Sequence, residues 1–195
     1  MQTKTIGRWF TGVAATFVAL AAAGQVRAAT YKVDPVHSTV LFRAQHMGAG
    51  YVYGQFPNPE GKIVLDSENP AKSSVSITAK ADGVWTGKDK RDQHLRSPDF
   101  LNAKQFPVIK YESTKVEKAG DGKWKVTGDL TLHGKTRTQV VEVKKVGEGK
   151  NQQGQTLAGW ETAFTVNRSD FGIDYMPQGV SDELMLVIAV EGIQQ

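Results

Sequence analysis

The sequence predicts an all-β protein: a closed antiparallel barrel of the up-and-down type, interrupted by one short helical insertion. Three observations predict it. Short segments rich in Val, Ile, Thr and aromatic residues alternate apolar with polar side chains. The glycines fall mostly between these segments, as turns require. One stretch, Lys88 to Tyr111, breaks the rhythm with a crowd of charges and the run Leu95-Arg96-Ser97-Pro98. Proline disfavours helix at the residue before it, so this stretch reads as a kinked helix or two short ones, with Ser97 or Asp99 capping the second. Closure is expected because evenly spaced strands with short connections otherwise leave exposed edges.

Met1 to Ala28 reads as a cleavable signal peptide. Lys4 and Arg8 form a basic start, Phe10 to Ala23 an apolar and small-residue middle, and Val26-Arg27-Ala28 a cleavage site. A membrane anchor fits less well, since a span needs about 20 apolar residues and Thr11, Gly12 and Thr16 dilute the run. The predicted product is therefore exported. Its remaining 167 of 195 residues, from position 29 onward, suit one domain with no linker. Cleavage removes three basic residues and no acid, leaving 21 basic against 20 acidic residues. That balance gives no basis for nucleic-acid binding. Without cysteine, disulfides, iron–sulfur clusters, thiol catalysis and a lipoprotein anchor are all excluded.

Strands follow from parity. Val40, Phe42, Ala44 and His46 share one face; Gly61 to Leu65 is a short strand after the turn-rich Pro57-Asn58-Pro59. Val75, Ile77 and Ala79 share a face, as do Ile109 and Tyr111. Trp124, Val126, Gly128, Leu130 and Leu132 alternate with polar residues most cleanly of all. A tight hairpin at His133-Gly134 leads to Thr138–Val146, and a loop over Gly147–Gly154 leads to Leu157–Val166, where Trp160, Phe164 and Val166 share parity. Leu184–Val190 is apolar throughout, so both faces should be covered, the outer one by the helical insertion. Parity alone leaves open whether the interior is full or hollow.

Few residues carry chemistry. The four histidines, His37, His46, His94 and His133, have no metal-site spacing. His46, ending a strand on its apolar face, is either a buried hydrogen-bonded side chain or a contact to a ligand's polar head. Asp34 and His37 read as pinning a strand entrance, and His133 as a hairpin residue. Lys88 and Lys90 read as a solvated helix face. Arg91 and Arg96 have Asp92 and Asp99 nearby, so each forms either a structural ion pair or a headgroup contact. Arg168-Ser169-Asp170 reads as a turn with a local Arg/Asp pair. Gly128, unbranched among larger neighbours, marks either a close strand approach or room for a ligand.

Five ordered segments carry a family resemblance: Val33-Asp34-Pro35-x-His37-Ser38 with Phe42 and His46; Gly54-x-Phe56; Arg91-x-x-His94-Leu95-Arg96-Ser97-Pro98-Asp99-Phe100 with Phe106-Pro107; Gly128-Asp129-Leu130-Thr131-Leu132-x-Gly134; and Arg168-Ser169-Asp170-Phe171-Gly172. Together they resemble the YceI-like polyisoprenoid-binding proteins over about Tyr31 to Glu191. The resemblance implies a lipocalin-like eight-stranded barrel in the bacterial periplasm, hollow, and holding an isoprenoid quinone or prenyl phosphate type of lipid. A binding or carrier role without catalysis or cofactor is expected, with Phe42, Leu95, Phe100, Val126, Gly128, Leu130 and Phe164 against the tail. His46, Arg91 and Arg96 would then stand at the head or mouth. Transient membrane contact and a homodimer are compatible with that role. The competing class is a metal-binding protein or enzyme using His46, His94 and nearby acids, although no motif supports it.

Overall fold

The computed structural model describes residues 28–195, so the predicted signal peptide, apart from Ala28, lies outside the described residues. Ten strand segments follow one another: β1 Ala29–Val33, β2 Thr39–His46, β3 Gly50–Pro57, β4 Glu60–Leu65, β5 Ser74–Lys80, β6 Val108–Gly120, β7 Lys123–Leu132, β8 Lys135–Lys150, β9 Thr156–Asn167 and β10 Val180–Gln194. A single α-helix, α1 (Asp89–Arg96), lies between β5 and β6, and short 3-10 turns occupy Pro70–Lys72, Ala81–Gly83 and Arg168–Phe171.

The ten segments make eight staves. β1 and β2 both run antiparallel to β10, β1 opposite its end (Tyr31↔Gln194) and β2 opposite its start and middle (Leu184↔Ala44 to Ala189↔Thr39). They are one strand broken at Asp34-Pro35, where proline has no N–H to give a ladder. β3 and β4 are likewise one strand broken at Asn58-Pro59, with Asn58 in the left-handed region (φ 54). Pairing then proceeds in chain order through β5 to β10, and β10 returns to β1. Among the described residues the result is a closed up-and-down barrel, as the sequence predicts, with the eight antiparallel strands that the resemblance implies and one α-helix.

Turn chemistry fixes the joins. His133 (φ 51) and Gly134 (φ 70) supply the two left-handed residues of a tight hairpin between Leu132 and Lys135. The predicted Gly147–Gly154 loop is shorter than expected. β8 continues to Lys150 after a bulge between Lys145 and Gly147, and the turn is confined to the residues around Asn151, whose side chain accepts the backbone N–H groups of Gln153 and Gln155. Glycines without side chains are compatible with a twisted, bulged ribbon, so their clustering did not require a loop.

The insertion also differs in detail. Only α1 is helical; the chain after Ser97 folds back in turns, with Leu101 N–H donating to Leu95 O and Ala103 N–H to Arg96 O. Phe100, Leu101 and Ala103 are thereby buried at one end of the barrel. Since the insertion plugs an end, it does not cover β10. The outer face of β10 stays half-exposed, with Met185 and Val187 between Arg43 and Leu41 of β2 and Thr165 and Ala163 of β9.

Candidate functional site

Inner-face parity places an apolar wall around an internal cavity of about 190 Å³. Phe42, Leu95, Phe100, Val126, Leu130 and Phe164 all stand on that wall. Several wall residues, including Phe42, Phe164, Leu184, Leu186 and Ile188, remain only partly covered although they point inward. A filled core would have covered them; the lumen is what they face. At the far end from the insertion, Tyr31 meets Trp160 edge-to-face at 5.0 Å and closes a second apolar cluster with Ile63, Ile77 and Val190.

Polar atoms on the wall are already engaged. The Tyr111 hydroxyl donates to Val126 O at 3.2 Å, and burial, assisted by the charge of Asp129, pushes its pKa up to about 12. It is therefore a neutral, satisfied group across the physiological range. No buried side-chain nitrogen or oxygen among the described residues lacks a partner. An interior of this kind rewards an apolar ligand and offers a polar head nothing to bind.

Gly128 requires correction, because it is buried but does not line the cavity. A Cβ there would lie 2.5 Å from Glu112 O and 2.6 Å from Tyr111 Cζ. The missing side chain makes room for the Tyr111 ring and a close β6–β7 approach, opposite a β6 bulge between Ser113 and Lys115. The close-approach alternative holds, and the ligand-room alternative fails.

None of the predicted head-contacting residues lines the cavity. His46 is exposed at the β2–β3 hairpin, paired with the wall residue Val180 but not itself on the wall. Arg91 donates through Nε to Thr86 Oγ1 (2.7 Å) and through Nη2 to Thr86 O (2.9 Å). Arg96 donates to Asp82 O (2.6 Å) and Val84 O (2.8 Å). Neither forms the expected ion pair: Asp92 instead accepts from Thr86 N–H (2.8 Å), and Asp99 pairs with His94 (2.8 Å). Both arginines hold the insertion's own backbone in place. Carbonyl acceptors carry no residue signature, which is why sequence pointed to the acids.

The turn at Arg168-Ser169-Asp170 forms as predicted, but its local Arg/Asp pair does not. Arg168 is 3 % exposed and donates to Ser181 O, Ile173 O and Val180 O at 2.9 to 3.0 Å, while Asp182 accepts from Ser169. Burial lowers its pKa, with Asp182 and Asp174 acting in the opposite direction. Asp34 and His37 do pin a strand entrance. Asp34 Oδ1 accepts Val36 N–H, and Oδ2 meets His37 Nδ1 at 2.8 Å. Glu191 brings a third carboxylate oxygen to that exposed corner. His46 and His94 do not join it. Sequence reasoning missed the lining residues Trp160, Leu184, Leu186 and Ile188 as site residues; their shared parity was the available signal.

A closed eight-stranded meander around an apolar lumen, plugged at one end by a tethered helical insertion, defines a small hollow barrel. Residues 31–192 match the YceI-like domain, and the chain belongs to that family. Protein YceI of Escherichia coli O6:H1 (strain CFT073) is 40% identical over 183 residues, covering 92% of this chain and 95% of that protein. Among solved structures, BcnA of Burkholderia cenocepacia superposes with a TM-score of 0.74 at 22% identity, over 82% of this chain and 98% of that one. A polyisoprenoid binding domain from Saccharophagus degradans, implicated in plant cell wall breakdown, superposes with a TM-score of 0.64 at 12% identity, over 85% and 98% of the two chains.

Proposed function

We propose that the protein is a periplasmic carrier that holds the tail of an isoprenoid lipid, of the quinone or prenyl phosphate type, inside the barrel, and that it is not an enzyme. The observation that carries this reading is the continuous apolar wall with no unsatisfied polar side chain. Burying a methylene is worth about 0.8 kcal/mol, so roughly ten approach the ~8 kcal/mol of micromolar binding before association costs. The tail supplies affinity, and the head stays at an opening in water. The polyisoprenoid-binding structural neighbour supports the ligand class, and the signal-peptide pattern supports the compartment. The metal or enzyme alternative through His46 and His94 finds no group of three ligating side chains around either one among the described residues, and His94 is bonded to Asp99.

Mass spectrometry of an organic extract of protein purified from its native envelope tests this. An isoprenoid lipid near one per barrel is expected. Stoichiometric metal with no lipid would overturn the reading.

A further inference from the structure

The barrel is unzipped along one seam. β8 and β9 pair from Lys150↔Thr156 to Lys144↔Glu161 and then part. Beyond that point β8 pairs only with β7, as far as Lys135↔Leu132, and β9 only with β10, as far as Asn167↔Glu183. Continuing the register would set Val141 opposite Phe164 and Val140 opposite Thr165, yet no backbone pair joins these stretches among the described residues. Between the two strands the last link is a side chain's, Thr162 Oγ1 donating to Glu142 O at 2.7 Å, and past their ends the His133 ring meets Phe171 O at 3.1 Å. The other loose edge, on β3, is covered: Gln55 and Trp85 exchange both backbone hydrogen bonds at 2.9 Å, laying the insertion along it.

The slit, shut by side chains because Val141 and Val166 are buried, lies over the apolar wall. Val141 and Val143 on one lip, and Phe164 and Val166 on the other, line the cavity, while Val140 is exposed outside. The insertion, by contrast, is tied down by Arg91, Arg96 and Asp92 and anchored by buried Phe100 and Leu101. Opening it would break several hydrogen bonds and expose core, whereas widening the slit breaks no ladder.

We infer that the slit between β8 and β9 is the portal through which an apolar tail enters and leaves sideways, with the insertion serving as a fixed plug. Lateral passage keeps a polar head in water throughout, where a passage along the axis would drag it through the apolar lumen. This rests on the carrier reading above, and the test separates the two.

The chain has no cysteine, so introduced pairs are unique. Val140→Cys with Thr165→Cys, bridged by a short thiol-cleavable crosslinker and verified by mass, closes the slit. Gln55→Cys with Trp85→Cys, bridged likewise, locks the insertion. Transfer of a tritiated long-chain prenyl alcohol from each protein to phosphatidylcholine vesicles is then timed. The slit bridge should slow transfer by roughly tenfold or more, reversed by dithiothreitol, and the insertion bridge should leave it unchanged. Val140→Trp, which narrows the lip without a crosslink, should slow it in the same direction. Wild-type transfer across a fully bridged slit, or slowing by the insertion bridge alone, overturns the portal while leaving the carrier reading intact. Failure of the wild-type protein to take up the prenyl alcohol overturns both.

Discussion

A missing side chain and a buried cation show how single residues constrain this barrel. Gly128→Ala would force its new methyl against a backbone carbonyl as well as the Tyr111 ring, so side-chain rotation alone cannot relieve it. A loss of about 1–3 kcal/mol in urea unfolding is expected, with no rescue by Tyr111→Leu. Arg168→Lys replaces a fork that serves three carbonyls with one point donor, and a cost of at least about 3 kcal/mol is expected in the same measurement. The Asp34–His37 pair titrates instead. The hydrogen bond that the His37 ring donates to Asp34 raises the His37 pKa and lowers that of Asp34. The His37 contribution is full below the ordinary imidazole value of about 6.5 and fades as pH rises through the raised one; the Asp34 contribution fades as pH falls through its lowered value. NMR titration of His37 should show its pKa returning toward the ordinary range in Asp34→Asn. The role of this pair was legible because both partners are three residues apart; those of Arg168 and Gly128 depended on distant backbone that no local spacing displays.

Among the elements, the strands with clean alternation were legible and those with mixed signals were not. β7 has an apolar inner face from Trp124 to Leu132, as parity requires, and the six bulky residues singled out as tail contacts all face the lumen. The insertion was recognisable as an interruption, but its two arginines were read against neighbouring acids. Asp99 is taken by His94 and Asp92 by Thr86, leaving the guanidinium groups to the carbonyls of residues 82, 84 and 86. The expected consequence is local. Arg96→Gln should speed amide hydrogen exchange across the insertion, from about Val84 to Ala103, while β6 to β10 keep wild-type protection. Uniformly faster exchange in the strands would show that the insertion supports the whole barrel. The apolar run of β10 misled for a related reason: sequence cannot distinguish a face covered by a helix from one left half-exposed beside Leu41 and Ala163.

For the molecule as a whole, β10 is bonded on one side to β9 and on the other to both β1 and β2, and Gln195 N–H reaches Thr30 O at 2.9 Å. The ring is thus completed only by β10, the latest strand in sequence order. During synthesis the earlier strands can pair with one another, but β9 on one side and β1 with β2 on the other keep an unpaired edge until β10 is made. The same adjacency means that the start of β1 and the end of β10 lie side by side, so a short peptide joining them would permit a circular permutant opened at another turn, such as that around Asn151. It also makes the protein divisible: a chain stopping before Val180 should be insoluble alone and regain its fold when a synthetic peptide of residues 180–195 is supplied, turning barrel closure into a bimolecular association whose rate can be read directly.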